Sequence, residues 1–128
     1  MKSRSLVEWL VIAISVLTII SGLTQMVAPG FVLSLIKGQE TPTSLHFFGI
    51  IGMFMALFGG MLLQAVRSPA PQRVAIFWAA LQKFGASAAV AFGVEHRIFS
   101  ALALAIASFD GLSGCLIFWY WSRGVDKT

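Results

Sequence analysis

Lys83 and Asp110 each interrupt a long apolar run that is otherwise free of charge. Lys83 lies 13 residues before His96 and Asp110 lies 14 after it. At ~1.5 Å per helical residue both stand roughly 20 Å from that point, at equal depth on two antiparallel helices. A charge near the middle of a bilayer costs at least ~2.5–3.5 kcal/mol, so an ammonium and a carboxylate at matched depth are expected to pair. Ala79, Ala80 and Ser87 around Lys83, with Ala107, Ser113 and Gly114 around Asp110, leave room for them to meet. Two chemistries suit such a pair. One is a polar site, with Ser87 beside it, for a proton, a quinone headgroup or another small polar ligand. The other is a self-neutralising pin that sets the register of a helical hairpin, as a buried polar residue does in a coiled coil.

The remaining polar residues suggest less. His46, His96, Glu40 and Glu95 offer imidazole and carboxylate, which bind metal or haem. They carry no HxxxH or ExxH spacing, and they read as solvated helix ends. Glu8 sits at the start of an apolar run one turn after Arg4, where an interfacial salt bridge is expected. Gln25, Gln64 and Gln82 are amides in or near apolar runs and need hydrogen-bond partners. Gln82 points about 100° away from Lys83 on a helix, toward a different contact. The single Cys115 excludes an internal disulfide or a CxxC pair and reads as packing. The five methionines and eleven phenylalanines read as packing and lipid contact. No Ser/His/Asp or Cys/His set, glycine-rich phosphate loop or paired carboxylates occur, so no catalytic residue and no metal site is predicted.

The elements that must hold the pair follow from composition. The chain has 128 residues, 58% apolar and 11% charged, with a mean hydropathy of +0.87. Soluble domains are about a quarter charged, so an ordinary soluble globule is excluded, as is a disordered chain. The net charge of +4 comes from scattered residues, and no nucleic-acid partner is expected. Four apolar stretches, residues 6–28, 45–66, 74–94 and 98–121, each reach the ~20 residues needed to span a bilayer. Strand alternation is absent. The expected fold is all-α, a single integral-membrane domain over residues 1–128 with four transmembrane helices.

The first stretch is too long for a signal-peptide core, and the site after Ala28 has Met26 two positions upstream and Pro29 behind it, so an uncleaved helix is expected. Lys2, Arg4, Arg67, Arg73, Arg123 and Lys127 fall on one side, against Lys37 and Arg97 on the other. This bias places both termini in the cytoplasm. Trp9, Trp119, Trp121 and Tyr120 then sit near the cytoplasmic interface, with Trp78 about one turn inside it. Residues 67–73 form a tight turn broken by prolines, and residues 95–97 a very short outer turn. The outer segment 29–44 is apolar enough, through Phe31, Val32, Leu33, Leu35 and Ile36, for a brief interfacial helix stopped by Gly38.

Small residues recur every four positions: Gly52, Ala56 and Gly60 in the second span, Gly85, Ala89 and Gly93 in the third, Ala103, Ala107, Gly111 and Cys115 in the fourth. Such stripes let backbones approach closely in lipid, and tight packing of the second, third and fourth spans is expected. The same stripes also suit contacts with other subunits.

Ala28-Pro29-Gly30-Phe31, the apolar outer segment, Gly49 and Gly52 through Gly59-Gly60, and Lys83-x-Gly85 together resemble small four-helix DoxX-like bacterial membrane proteins. A related set similarly pairs a Lys of the third helix with an Asp of the fourth. Where those proteins often open the second helix with Arg, this sequence has His46-Phe47-Phe48. The resemblance implies a bacterial cytoplasmic (inner) membrane, a link to respiratory chemistry and, as the one ligand it suggests, a quinone. The absence of a catalytic constellation, the lack of any soluble part and the small-residue stripes lead to the expectation of a non-catalytic accessory or assembly subunit, with the lipid bilayer and other membrane subunits or copies of itself as partners. A quinone- or small-ligand-binding protein using Lys83 and Asp110, and a small homo-oligomeric proton-linked transporter, are the alternatives.

Overall fold

A computed structural model of the chain describes residues 4–70 and 72–123. Lys2 and Lys127 of the charge count, and Pro71 of the proline turn, lie outside the described residues. Five helices follow one another: α1 (Leu6–Val27), α2 (Pro29–Leu35), α3 (Pro42–Arg67), α4 (Arg73–Glu95) and α5 (Ala103–Ser122), with no strand among the described residues. Helices α1, α3, α4 and α5 are each long and apolar enough to cross a membrane, and α2 is the short helix expected between the first two spans.

Local chemistry sets the boundaries. Ser5 and Glu8 form a reciprocal capping box at the start of α1, and Thr41 and Ser44 form another at the start of α3, each satisfying backbone N–H groups that a helix start leaves open. Pro29 and Pro42 occupy first-turn positions, where their missing N–H costs nothing. Helix α2 ends in a Schellman motif, with Gly38 N donating to Leu33 O (3.0 Å) and Lys37 N to Ser34 O (3.2 Å). The expected glycine stop is corrected here by one residue. Lys37, not Gly38, takes the left-handed backbone at φ 57°, while Gly38 is confined because a Cβ would strike Leu33.

The turn between α4 and α5 is longer than expected. Arg97 (φ 59°) ends α4 in the same way, with Ile98 N donating to Gly93 O at 2.8 Å and Arg97 N to Val94 O at 3.0 Å. The chain then wraps the end of α4, laying Phe99 where a Gly93 Cβ would meet its ring at 2.6 Å. Helix α5 consequently begins at Ala103 rather than near Ile98.

The long helices associate as two pairs, α1 with α3 and α4 with α5, and the contacts between pairs are sparser. This corrects the expected grouping, because the second span packs chiefly on the first. Gly22 and Gly52 make the closest approach: a Cβ on Gly22 would lie 2.5 Å from Ala56 N, and one on Gly52 2.6 Å from Met26 N. Gly59 also faces α1, at Ile19 and Ser15, whereas nothing lies within 4 Å of a Cβ at Gly60. On α4, Gly85 and Ala89 face outward, and the buried side is Ile76, Ala79, Ala80 and Lys83. On α5, Ala103 and Ala107 are buried as expected, but the contact face continues through Asp110, Gly114 and Ile117. Gly111 is half-buried beside Ser87, and Cys115 is exposed rather than packed.

The reason is geometric. Four residues turn a helix by about 400°, so a strict four-residue stripe drifts about 40° per step away from a straight contact face. Among the buried positions of α5, 103, 107, 110, 114 and 117 follow alternate steps of four and three, with Ser113 buried beside Gly114. This is the 3.5-residue seam of left-handed helix packing.

Two apolar cores close the bundle, one toward each end. Near the arginine-bearing end, Val11 and Ile14 of α1, Leu62, Ala65 and Val66 of α3, Ile76, Ala79 and Ala80 of α4 and Ile117 of α5 pack together. At the opposite end, α2 folds back over the bundle. Its Leu33 and the following Ile36 bury against Ala103, with Leu45, Phe48, Val90, Val94 and Phe99 around them, and Ser100 N donates to Ile36 O at 2.7 Å. Phe31 and Leu35 of the same segment stay exposed.

Candidate functional site

Between the two cores lies a polar layer. Lys83 from α4 donates from Nζ to Asp110 Oδ1 of α5 at 3.3 Å and to Thr18 Oγ1 of α1 at 2.6 Å. The Thr18 hydroxyl hydrogen is itself directed to Ile14 O at 2.8 Å, which leaves an oxygen lone pair facing the ammonium. Lys83 is 4% and Asp110 9% exposed. The Phe109 ring centroid stands 5.4 Å from Nζ, within range of a cation–π contact. The carboxylate is the more open partner, with 12% of its side chain accessible against 5% for Lys83.

One ammonium therefore joins three helices, and its bond to Thr18 links the α1/α3 pair to the α4/α5 pair at mid-depth. Ser87 Oγ donates to Ala107 O at 2.7 Å, a second polar tie within the α4/α5 hairpin one turn from Lys83. Ser87 acts on the backbone and makes no hydrogen bond to the ion pair. The arrangement can hold opposite charges in register, or exchange a proton between ammonium and carboxylate.

The other candidates are dispersed. Arg4 pairs with Glu8 at 3.2 Å at the start of α1 and also reaches Val66 O at 3.3 Å, so the salt bridge expected one turn apart is present and Arg4 additionally ties α1 to the end of α3. Gln25 Nε2 donates to Phe48 O at 2.9 Å, giving that buried amide its partner on α3. His96 Nδ1 contacts Phe92 O at 3.0 Å and its ring stacks on Phe92 at 4.0 Å, while His46 sits edge-on to Phe47. Among the described residues no group of three His, Cys, Asp or Glu side chains lies close enough to hold a metal ion.

Thr18 is the site residue that sequence reasoning missed. Two signals mark it in retrospect. It lies seven residues from both Val11 and Gln25, on the buried seam of α1. It also lies 12 residues after the start of α1, as Asp110 lies 12 before the end of α5, which sets both at one depth. Set against protein-family models, curated proteins and solved structures, the chain matches none of them.

Proposed function

We propose that this chain is a multi-pass protein of a bacterial cytoplasmic membrane, both termini on the cytoplasmic side, serving as a non-catalytic accessory or assembly subunit of a larger membrane complex. The four long helices bury only 22–33% of their most apolar windows within the chain, and the apolar remainder suits lipid or other helices. Arg4, Arg67, Arg73 and Arg123 gather at one end, against Lys37 and Arg97 at the other, which supports the orientation. The resemblance to DoxX-like proteins supports the bacterial setting.

The observation that carries the subunit reading is the division of α4 into two faces. Its inward face closes on Asp110 and Thr18. Its outward face presents Gly85 and Ala89, with nothing within 4 Å of a Cβ at Gly85 and Trp78, Leu81 and Phe92 exposed on the same helix. Small residues on a lipid-exposed face admit a neighbouring helix at close range. Purification from the native membrane in mild detergent, followed by mass spectrometry, is expected to recover other membrane subunits in stoichiometric amount, and Gly85→Leu to release them. Recovery of the chain alone would overturn the reading.

The partial accessibility of the Asp110 carboxylate supports a second reading, in which the ion pair receives a quinone headgroup or a transported proton. Saturable quinone binding abolished by Lys83→Ala, or proton-coupled uptake by reconstituted liposomes, would replace the first reading with this one.

A further inference from the structure

Gly60, Leu63, Gln64 and Arg67 lie at helical spacing along one side of α3, and with Ser68 and Pro69 they line a groove of about 410 Å³. The floor is bare at Gly60, where nothing lies within 4 Å of a Cβ. Leu63 adds an apolar side chain to the lining, and Arg67, Gln64 and Ser68 bring a guanidinium, a primary amide and a hydroxyl. Among the described residues the side chains of Arg67 and Gln64 make no hydrogen bond or ion pair. The other arginines at this end are engaged: Arg4 with Glu8 and Val66 O, Arg73 with Trp121 O, and Arg123 over the Trp119 ring. An exposed amide one turn inside the end of a membrane helix needs polar partners that lipid tails do not supply.

From this groove we infer a binding site for one anionic phospholipid of the adjoining leaflet, an inference that rests on the membrane-spanning reading above. Arg67 at the helix end stands at phosphate level, where its planar fork matches a phosphodiester in two hydrogen bonds. Ser68 Oγ accepts from Ala70 N at 3.3 Å and from Gln72 Nε2 at 3.5 Å, leaving its own hydroxyl hydrogen to donate to the same phosphate. Gln64 lies three residues deeper, about 4.5 Å along the axis, level with the glycerol esters, whose carbonyls accept from its amide. An acyl chain then runs past Leu63 into the space over Gly60. Charge complementarity selects an anionic headgroup over a zwitterionic one, and the cytoplasmic leaflet is the anionic one.

The test uses the full chain in lipid nanodiscs, titrated with phosphatidylglycerol or phosphatidylcholine and read by native mass spectrometry. One phosphatidylglycerol per chain is expected, held about tenfold more tightly than phosphatidylcholine, as a charge-assisted hydrogen bond warrants. Arg67→Gln is expected to erase that preference, and Gly60→Leu to expel both lipids while leaving the fold intact, since its side chain enters open space. Arg97→Gln, at the opposite end, is expected to change nothing. Equal retention of the two lipids, unaltered binding by Arg67→Gln, displacement by inorganic phosphate, or a protein chain occupying the groove would each overturn the inference. Alkaline carbonate extraction of native membranes separates the two failures: a chain that stays in the membrane without lipid preference refutes the lipid site alone, and a chain that is released refutes the membrane reading as well.

Discussion

Lys83 Nζ approaches Thr18 Oγ1 at 2.6 Å, nearer than the 3.3 Å that separates it from Asp110 Oδ1. The ion pair is thus a three-helix junction, in which a neutral hydroxyl from α1 takes a second hydrogen of the ammonium that α4 and α5 share as an ion pair. A buried ammonium is costly unless its hydrogens are taken, and the only oxygen hydrogen-bonded to it from the α1/α3 pair is that of Thr18.

Thr18→Val keeps the shape of the side chain and removes the acceptor. The expected loss is about 1.5–3 kcal/mol of stability, the range for a hydrogen bond to a charged group. Thr18→Ser is expected to recover most of it. Reversible unfolding in mixed detergent micelles measures both, and a neutral Thr18→Val would deny the junction its third arm.

Breaking the pair from one side leaves an uncompensated buried charge. Lys83→Met and Asp110→Leu are each expected to destabilise by about 3–5 kcal/mol, and the double variant to regain most of that loss. A double-mutant cycle on the same unfolding assay reads the coupling. If stability returns in the double variant and purification from the native membrane recovers the same proteins, if any, as with the unaltered chain, the pair is a register pin; restored stability with altered recovery would make it a site.

Gly22 and Gly52 face one another with no space for a methyl group, since a Cβ on either would fall 2.6–2.7 Å from the other's carbonyl oxygen. Gly22→Ala and Gly52→Ala are expected to force α1 and α3 apart at a cost of about 2 kcal/mol or more, because the obstacle is backbone. Gly60→Ala meets open space, and its expected effect is a gain of up to about 1 kcal/mol from helix propensity. Thermal denaturation of the three variants side by side distinguishes the contact glycines from the outward one.

Lys37 and Arg97 hold left-handed backbone at φ 57° and 59°, a conformation that costs an L-residue about 1–2 kcal/mol. Lys37→Gly and Arg97→Gly are each expected to stabilise the chain by about 0.5–1 kcal/mol, seen as a raised melting temperature. A fall would mean that their side chains, and not the backbone, hold those turns.

The sequence by itself determined the number and order of the helices, because apolar length and proline placement are local properties, whereas the start of α5 at Ala103 depends on the chain wrapping the end of α4. It also pointed to the meeting of Lys83 and Asp110, although the turn between them is not the tight one expected: residues 96–102 wrap back along the end of α4, so that Asp110, seven residues into α5, reaches the depth of Lys83, twelve residues from the end of α4. Which helix faces pair was decided by the tertiary structure alone. Small residues every four positions lie on both contact faces and outward faces, and only the observed packing separates Gly52 from Gly60, or Ala107 from Cys115. Thr18 was hidden for a related reason. A threonine in an apolar helix ordinarily turns its hydroxyl back to its own backbone, as Thr18 does to Ile14 and Thr24 does to Ile20. That habit is the same whether the other side of the oxygen meets lipid or a buried ammonium, and only the arrangement of α1 against α4 distinguishes the two.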